Sequence, residues 1–240
     1  MIAQRILFIG DSITDCQRRD THAPLGCGYV RAVADRLMIR RPKVRYDIIN
    51  RGVGGQTMRE LRERWTDDVL HERPDHLVVM IGINDLCGCV VRNGRGVTPE
   101  AYEAMYDAVL QRTRLVVPRC RVLLLTPFYI SRDDDPGSIR HAVLRGLPPY
   151  RAAVRRLAGR HGVDFIDTHM RFQQLLRHHD AALFCPEPVH PNQTGHQALA
   201  EWVFDALFPK GCAGTRHAAT PIAGVARRSR PQGRQGGRLS

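Results

Sequence analysis

The sequence predicts an α/β fold, a three-layer α/β/α sandwich around a five-stranded parallel sheet. Five short apolar runs recur along the chain, stretches with helical spacing of apolar residues lie between them, and no segment is repeated. Strands that alternate with helices of this length form parallel sheets covered by helices on both faces. With 240 residues, of which 43% are hydrophobic, the chain is long enough for one domain with a sizeable core.

Each predicted strand is an apolar run, and each predicted helix has apolar residues three and four positions apart. The predicted strands are 6–9, 44–49, 77–81, 122–125 and 163–166. The predicted helix faces are Tyr29, Val33, Leu37 and Met38; Met58, Leu61, Trp65 and Val69; Tyr102, Met105, Val109 and Leu110; Val154, Leu157 and Ala158; and Ala198, Trp202, Val203 and Leu207. Right-handed crossovers place all strand carboxyl ends at one edge of the sheet, where ligands bind. Residues 131–146 are predicted to form a loop or lid over that edge.

Residues 210–240 differ in composition from the rest of the chain. They contain seven of the 36 Lys and Arg residues, no Asp or Glu, and no periodic apolar residues. Because such a segment cannot bury enough surface to fold, we predict one domain, residues 1–209, followed by a basic, disordered tail. We interpret the tail as a solvated extension. A nucleic-acid-binding arm is the alternative, although the tail has no aromatic residues to stack on bases.

The composition also predicts where the protein works. No apolar run approaches the roughly 20 residues that cross a bilayer, and no apolar segment with a cleavage site opens the chain. Seven cysteines at irregular positions indicate free thiols rather than a disulfide framework. We therefore predict a cytoplasmic protein that does not enter a membrane. Cys87-Gly88-Cys89 lacks the second pair that zinc sites use, so no metal is predicted.

A candidate nucleophile follows the first predicted strand. The apolar run 6–9 stops abruptly at Gly10-Asp11-Ser12, a pattern typical of a buried strand that ends in a tight turn and exposes one hydroxyl. A serine nucleophile needs a base, and that base needs an orienting partner. We predict that Ser12 is the nucleophile, and that Asp11 serves the turn that holds it.

The candidate base lies near the other end of the chain. His190 is preceded by Pro188 and followed by Pro191, and these prolines fix the backbone and therefore the imidazole position. Glu187 stands three residues before His190, where its carboxylate could reach the ring Nδ1. The helix that follows could be capped by Asn192 or Thr194. We predict His190 as the general base and Glu187 as its partner.

Acyl transfer also needs hydrogen-bond donors for the oxyanion. The glycine-rich segment 50–55 follows the second strand and can present backbone N–H groups, because glycine tolerates positive φ and close approach. Asn84 follows the third strand and can present its side-chain amide, with Asp85 beside it as a supporting turn or cap residue. The spacing of the glycines does not match a dinucleotide-binding loop, so no such cofactor is predicted.

Together, and in this order, these motifs resemble the SGNH (GDSL) hydrolase family. Residues 10–14 match its nucleophile block, Gly55 its oxyanion glycine, Asn84 its oxyanion asparagine and His190 its catalytic histidine. The resemblance covers about residues 4–208. It implies a flavodoxin-like SGNH hydrolase fold and a serine esterase without a cofactor. It also implies an oxyanion hole formed by the N–H groups of Ser12 and Gly55 and the Asn84 amide.

Further segments are similar to the intracellular acetylxylan esterase branch of this family: 10–16, 25–30, 64–65, 80–85 and 126–130. This likeness implies removal of acetyl groups from xylo-oligosaccharides, without metal, by a homo-oligomer. Phe128 and Tyr129, at the end of the fourth strand, are candidates for the acyl or sugar pocket.

Two departures keep alternatives open. The family carries Asp where this chain has Glu187, so the site works either as a triad with Glu187 or as a slower Ser–His dyad. The acetylxylan branch tends to carry an aromatic residue where this chain has 86–89 without one, which weakens the xylan assignment. The alternative functions are a lysophospholipase or thioesterase of the same family, and a catalytically impaired protein that binds nucleic acid through its tail.

Overall fold

The computed structural model describes residues 3–92 and 94–209, and it has the predicted α/β/α architecture. Five parallel strands form one sheet in the order β2-β1-β3-β4-β5. The strands are β1 (Gln4–Gly10), β2 (Tyr46–Gly52), β3 (His76–Met80), β4 (Arg121–Leu125) and β5 (Asp164–Ile166). The helices are α1 (Ser12–Asp15), α2 (Tyr29–Arg40), α3 (Met58–Glu63), α4 (Ile83–Val90), α5 (Pro99–Val116), α6 (Ile139–His161), α7 (Thr168–Leu175) and α8 (Gln193–Leu207). Short π-helical and 3₁₀ turns span Thr66–Leu70 and Ala181–Leu183.

Strand β1 lies inside the sheet, between β2 and β3. Its residues 6–9 have no exposed surface, as expected for a strand covered by helices on both faces. Its last residue, Gly10, is in register with Gly52 of β2 and Met80 of β3. The segments that follow these three strands therefore start side by side at one edge of the sheet. These segments are α1, the glycine-rich loop and α4.

The structure corrects two of the predictions. The predicted loop 131–146 is shorter, because α6 begins at Ile139 and carries the chain through to His161. Ser138 caps this helix by accepting the backbone N–H of His141, and Val143 is buried within the first turns. Met38 was predicted on the buried face of its helix, but 64% of its surface is exposed. The other three residues predicted for that face are buried.

Three helices were not predicted: α1, α4 and α7. They are short, at four, eight and eight residues, so none of them contains enough turns to show a clear apolar period. The tail that the sequence predicts to be disordered, residues 210–240, lies outside the described residues. Among the residues that are described, no helix has both the length and the apolar character that a membrane crossing requires.

Candidate active site

Ser12 is the first residue of α1, and one residue, Asp11, separates it from the end of β1. Asp11 caps this helix by accepting the backbone N–H of Ile13 at 3.1 Å. A Cβ at Gly10 would lie 2.1 Å from the carbonyl oxygen of Met80, so only glycine allows the chain to turn this close to β3. The Gly-Asp-Ser sequence therefore provides a close approach, a helix cap and a partly exposed hydroxyl.

His190 and Glu187 meet Ser12 from the loop before α8. The Ser12 Oγ lies 2.8 Å from the His190 Nε2, and the His190 Nδ1 contacts the Glu187 carboxylate. Because an ionised carboxylate only accepts hydrogen bonds, Nδ1 carries the proton and Nε2 presents its lone pair to the Ser12 hydroxyl. This is the tautomer that a general base for serine requires.

Glu187 also holds the loop on which His190 lies. Its carboxylate accepts the backbone N–H groups of Val189 at 3.0 Å and His190 at 2.8 Å. The carbonyl of Pro188 accepts the N–H of Ile130, which ties the loop to the segment after β4. The Glu187 carboxylate therefore contacts the imidazole and at the same time accepts hydrogen bonds from the backbone of its own loop. The structure brings together the three residues predicted from opposite ends of the chain.

The predicted oxyanion donors lie on two segments beside Ser12. Gly55 has a φ of +80°, which favours glycine, and neither its N–H nor that of Ser12 donates to a protein acceptor within the described part of the chain. Asn84, in the first turn of α4, donates one amide hydrogen to the carbonyl of Gln56 at 3.0 Å. Its second amide hydrogen remains available for a ligand. Gly54 approaches Ser12 closely, since a Cβ there would lie 3.7 Å from that of Ser12.

Two buried carboxyl groups support these donors. Asp85 accepts the backbone N–H of Met58 and so fastens α4 to the start of α3, while Asp11 caps α1. Burial is the main cause that raises the pKa of each carboxyl to about 7, and hydrogen bonds from the backbone oppose the rise. Each group therefore titrates near neutral pH, close to where histidine does.

Two positions that the sequence reasoning did not assign to the site also hold the glycine-rich loop. Asp15 accepts the N–H of Gly54 at 3.0 Å. Arg64 donates to the Gln56 side chain at 2.6 Å and to the carbonyls of Arg51 and Gly10. The contacts of Asp15 with Gly54 and of Arg64 with Gly10 join residues 39 and 54 positions apart, so no local pattern could reveal them. They fix the loop relative to the end of β1.

The structure corrects the role predicted for Phe128. Its side chain has no exposed surface and packs on Phe172, with ring centroids 4.9 Å apart, so it belongs to the core and offers no face to a ligand. Tyr129 exposes 6% of its surface. Burial is the main cause that raises the pKa of its hydroxyl, and the nearby charge of Glu187 contributes to the rise. A substrate contact at Tyr129 stays a prediction.

One cavity opens at the nucleophile, and a second lies next to the first. The smaller, of about 270 Å³, is lined by Ser12 and His190 together with Asp15, Cys16, Gln17 and His196. The larger, of about 460 Å³, shares His196 with the first and is lined largely by polar side chains, among them Arg31 and Asp35. No cluster of three His, Cys, Asp or Glu side chains suited to a metal ion occurs within residues 3–92 and 94–209.

Comparison with known proteins agrees with this geometry. Residues 8–198 match the model of the GDSL-like Lipase/Acylhydrolase family. The acetylxylan esterase of Geobacillus stearothermophilus is 33% identical over 206 residues, which is 82% of this chain and 90% of that enzyme. The crystal structure of Axe2, an acetylxylan esterase from the same species, matches with a TM-score of 0.76 and 30% identity over 85% of this chain and 94% of that one.

A second solved structure belongs to LAE5, an alpha/beta hydrolase enzyme from the metagenome of Lake Arreo, Spain. It matches with a TM-score of 0.74 and 32% identity, over 85% of this chain and 96% of that one. The family match covers most of the chain, and the fold and the order of the motifs agree with it. The chain therefore belongs to the GDSL-like lipase/acylhydrolase family, and it is a carboxylic ester hydrolase.

Proposed function

We propose that this protein is a serine esterase that removes acetyl groups from carbohydrates such as acetylated xylo-oligosaccharides. The observation that carries the proposal is the contact of the Ser12 Oγ with the His190 Nε2 at 2.8 Å, with Glu187 on the other ring nitrogen. The similarity to acetylxylan esterases supports the acetyl substrate. No cofactor takes part in the proposed reaction.

The proposed cycle begins when His190 takes the proton of Ser12 as the Ser12 Oγ attacks the ester carbonyl. The oxyanion receives hydrogen bonds from the backbone N–H groups of Ser12 and Gly55 and from the Asn84 amide. His190 then gives its proton to the leaving alcohol, and an acetyl-Ser12 ester remains. Water, deprotonated by His190, attacks that ester, and as the bond to the Ser12 Oγ breaks His190 returns the proton to that oxygen and acetate is released. Glu187 stabilises the imidazolium that forms in both halves.

The cavity at Ser12 suits a short acyl group. Its volume is about 270 Å³, and apolar atoms of Ile13 and Pro191 line it together with polar side chains such as Gln17. The long acyl chain of a lysophospholipid would need a longer apolar channel at the nucleophile. The described apolar groove lies between Leu37, Tyr46 and Ile48, and Ser12 is not among its lining residues. A thioester of the same acyl group is the remaining alternative.

We also propose a cytoplasmic homo-oligomer. The six cysteines within the described residues are free thiols, which fits a reducing compartment. Met38 and Ile39 at the end of α2 expose 64% and 75% of their surfaces, and adjacent exposed apolar side chains suit a contact between copies. The contact of Glu187 with His190 supports an active esterase over the alternative of an impaired site with a tail that binds nucleic acid.

The first test compares substrates and variants. Ser12→Ala should abolish hydrolysis of p-nitrophenyl acetate, while the protein keeps the unfolding temperature of the wild type. A fluorophosphonate should label Ser12, as read by mass spectrometry of the digested protein. His190→Ala should also lose activity, whereas His71→Ala, an exposed histidine just before the start of β3 and so at the opposite end of the sheet from the site, should keep it. Full activity in Ser12→Ala would contradict the proposed nucleophile.

The second test addresses the substrate. Acetylated xylo-oligosaccharides, lysophosphatidylcholine and acetyl-coenzyme A should be offered to the same preparation, with p-nitrophenyl esters of increasing acyl length. We expect kcat/KM to be highest for acetyl esters and the oligosaccharide to release acetate. A preference for long acyl chains would favour a lysophospholipase, and a preference for the coenzyme A ester would favour a thioesterase.

A further inference from the structure

Two cysteines lie side by side where the two cavities meet. The Sγ atoms of Cys16 and Cys27 are 3.4 Å apart, and the backbone N–H of Cys27 donates to the carbonyl of Cys16 at 2.9 Å. Cys16 lines the smaller cavity beside Ser12, and Cys27 lines the larger one. The proposed esterase reaction uses neither thiol.

The backbone is shaped around this pair. A Cβ at Gly28 would lie 2.9 Å from the Sγ of Cys16, and a Cβ at Gly26 would lie 2.6 Å from the carbonyl oxygen of Asp15. Gly26 also has a φ of +79°, which favours glycine. The glycines on both sides of Cys27 thus let the turn press against the end of α1. Closing the sulfurs from 3.4 Å to a disulfide bond of about 2.05 Å needs a movement of roughly 1.4 Å.

The neighbouring histidine argues against a metal ion at these thiols. His196 accepts the backbone N–H of Tyr29 at its Nδ1, so its proton is on Nε2, which lies 3.5 Å from the Sγ of Cys16. A metal would need the lone pair of that same nitrogen. Burial lowers the pKa of His196 to about 4, which keeps the ring neutral. The site therefore suits a reaction between the two sulfurs.

We propose that Cys16 and Cys27 are an oxidation site, at which a peroxide converts the two thiols to a disulfide that reversibly lowers the esterase activity. The effect of the disulfide on esterase activity rests on the proposed function. The oxidant is hydrogen peroxide or an organic hydroperoxide, a class of two-electron oxidant that acts on exposed thiols.

The two thiols take different roles in the reaction. Cys27 is exposed, whereas burial raises the pKa of Cys16 to about 12, so Cys27 reacts first. Its thiolate attacks a peroxide oxygen and the O–O bond breaks, which gives a sulfenic acid, while the leaving hydroxide or alkoxide takes up the proton that the Cys27 thiol lost. The sulfur of Cys16 then attacks the sulfur of Cys27, and the hydroxyl group leaves as water with the Cys16 proton. The pair loses two electrons and two protons, and hydrogen peroxide becomes two waters, or an organic hydroperoxide becomes one alcohol and one water.

The bond would act on catalysis through the short helix that carries the nucleophile. The backbone N–H of Cys16 donates to the carbonyl of Ser12 at 3.0 Å, so a shift at Cys16 moves the residue that must attack the ester. Misplacing a reacting group by about 1 Å can cost on the order of a hundredfold in rate. A movement shared between the two cysteines should lower kcat/KM by about tenfold.

The test treats the full-length protein with hydrogen peroxide, blocks the remaining thiols with iodoacetamide and identifies cross-linked peptides by mass spectrometry. The same samples are assayed with p-nitrophenyl acetate before treatment, after it, and after dithiothreitol. We expect a peptide pair joined through Cys16 and Cys27, about a tenfold loss of kcat/KM, and recovery on reduction. Cys27→Ser should keep the basal rate and lose the response, and Cys120→Ser, whose thiol lies at the opposite end of the sheet, should keep both.

Two results would overturn the inference. If both cysteines carry the iodoacetamide label after peroxide, the oxidation site does not exist. If the disulfide forms but kcat/KM is unchanged, or changes equally in Cys27→Ser, the bond does not control the site. A failure of the proposed function gives a different result. The reduced wild-type protein would then have no esterase activity, while the cross-linked peptide could still form.

Discussion

The two sides of the site are built differently. The nucleophile wall, which consists of Ser12, Gly55 and Asn84, is held by side chains from distant parts of the chain, and the supporting carboxyl groups of Asp11 and Asp85 are buried. The histidine loop, residues 185–192, is held mainly by its own hydrogen bonds, and the side chains of His190 and Glu187 are 57% and 47% exposed.

This difference teaches where the site is sensitive. A buried support affects both the fold and the chemistry, because its removal leaves unpaired polar groups inside the protein. An exposed loop that closes on itself can lose its chemistry while the fold stays intact. We therefore expect variants of the groups that support the nucleophile wall, and of Asn84, whose amide is hydrogen-bonded within it, to change activity and stability together. Variants of the histidine loop should change activity alone.

The largest expected effect is at Asn84. Asn84→Ala removes one oxyanion donor and should lower kcat by about 10²–10³-fold, with a smaller change in KM. It also breaks the bond to the carbonyl of Gln56, so the unfolding temperature should fall as well. Steady-state kinetics and thermal unfolding measure the two effects. A normal kcat would remove Asn84 from the nucleophile wall.

The second largest effect is expected at Glu187, and it tests the histidine loop. Glu187→Gln replaces the carboxylate on Nδ1 by an amide that can impose the wrong imidazole tautomer, and it should lower kcat by about 10²-fold. Urea unfolding should be unchanged, since the side chain is half exposed. Glu187→Asp is the matched control and should retain more activity than the amide. An unchanged kcat in Glu187→Gln would indicate a Ser–His dyad.

Asp11 gives a smaller effect that depends on pH. Because burial raises its folded pKa to about 7, above the unfolded value near 4, the folded protein binds the extra proton between these values. This group therefore stabilises the wild type below about pH 4 and loses that contribution as the pH rises through 7. Asp11→Asn keeps the cap without the buried charge. Relative to wild type, its free energy of unfolding should rise by about 2 kcal/mol between pH 5 and pH 8.

Urea unfolding at the two pH values measures this difference. Asp35→Asn, which alters an exposed carboxylate on α2, is the control and should show a pH-independent difference from wild type. If the free energy of unfolding of Asp11→Asn differs from that of the wild type by the same amount at both pH values, Asp11 does not titrate in this range.

The smallest expected effect is at Arg64. Arg64→Lys keeps the charge near Asp68 but cannot donate at once to Gln56, Arg51 and Gly10, so the glycine-rich loop loses part of its anchor. We expect about a tenfold lower kcat and a modestly lower unfolding temperature. Arg62→Lys, on the exposed face of α3, should leave both unchanged. A loss of activity without any loss of stability would contradict the expected difference between the nucleophile wall and the histidine loop.

Much of the fold followed from the sequence because apolar runs such as residues 6–9 identify buried strands without tertiary information. Ser12, Asn84 and the glycine-rich segment 50–55 could be named because parallel strands bring their carboxyl ends together, whereas Gly55 was singled out within that segment by the family resemblance. Helix α4 was missed, in part because it contains Gly88. A Cβ at that position would lie 2.4 Å from the Cα of Gly96, so tertiary packing requires the glycine there and overrides helix propensity.

The contacts that hold the site were less accessible to sequence reasoning. Arg64 reaches Gly10, 54 positions earlier, and Asp15 reaches Gly54, 39 positions later. Hydrogen bonds over such separations have no local signature. The pairing of Cys16 with Cys27 depends in the same way on how two turns pack. Met38 shows a different error. Helical periodicity identifies which face of a helix is buried but not where that face ends, and Met38 lies outside the buried face.

The Asn84 amide also makes the site handed. One of its hydrogens is engaged by the carbonyl of Gln56, so the other has a fixed direction relative to the Ser12 hydroxyl and the glycine-rich loop. In the proposed reaction, an ester carbonyl can place its oxygen toward these donors and its carbon toward Ser12 in only one orientation, so we expect attack on a single enantiotopic face. An inhibitor with a stereogenic phosphorus atom would meet the same constraint, and its two mirror-image forms would inactivate the enzyme at different rates.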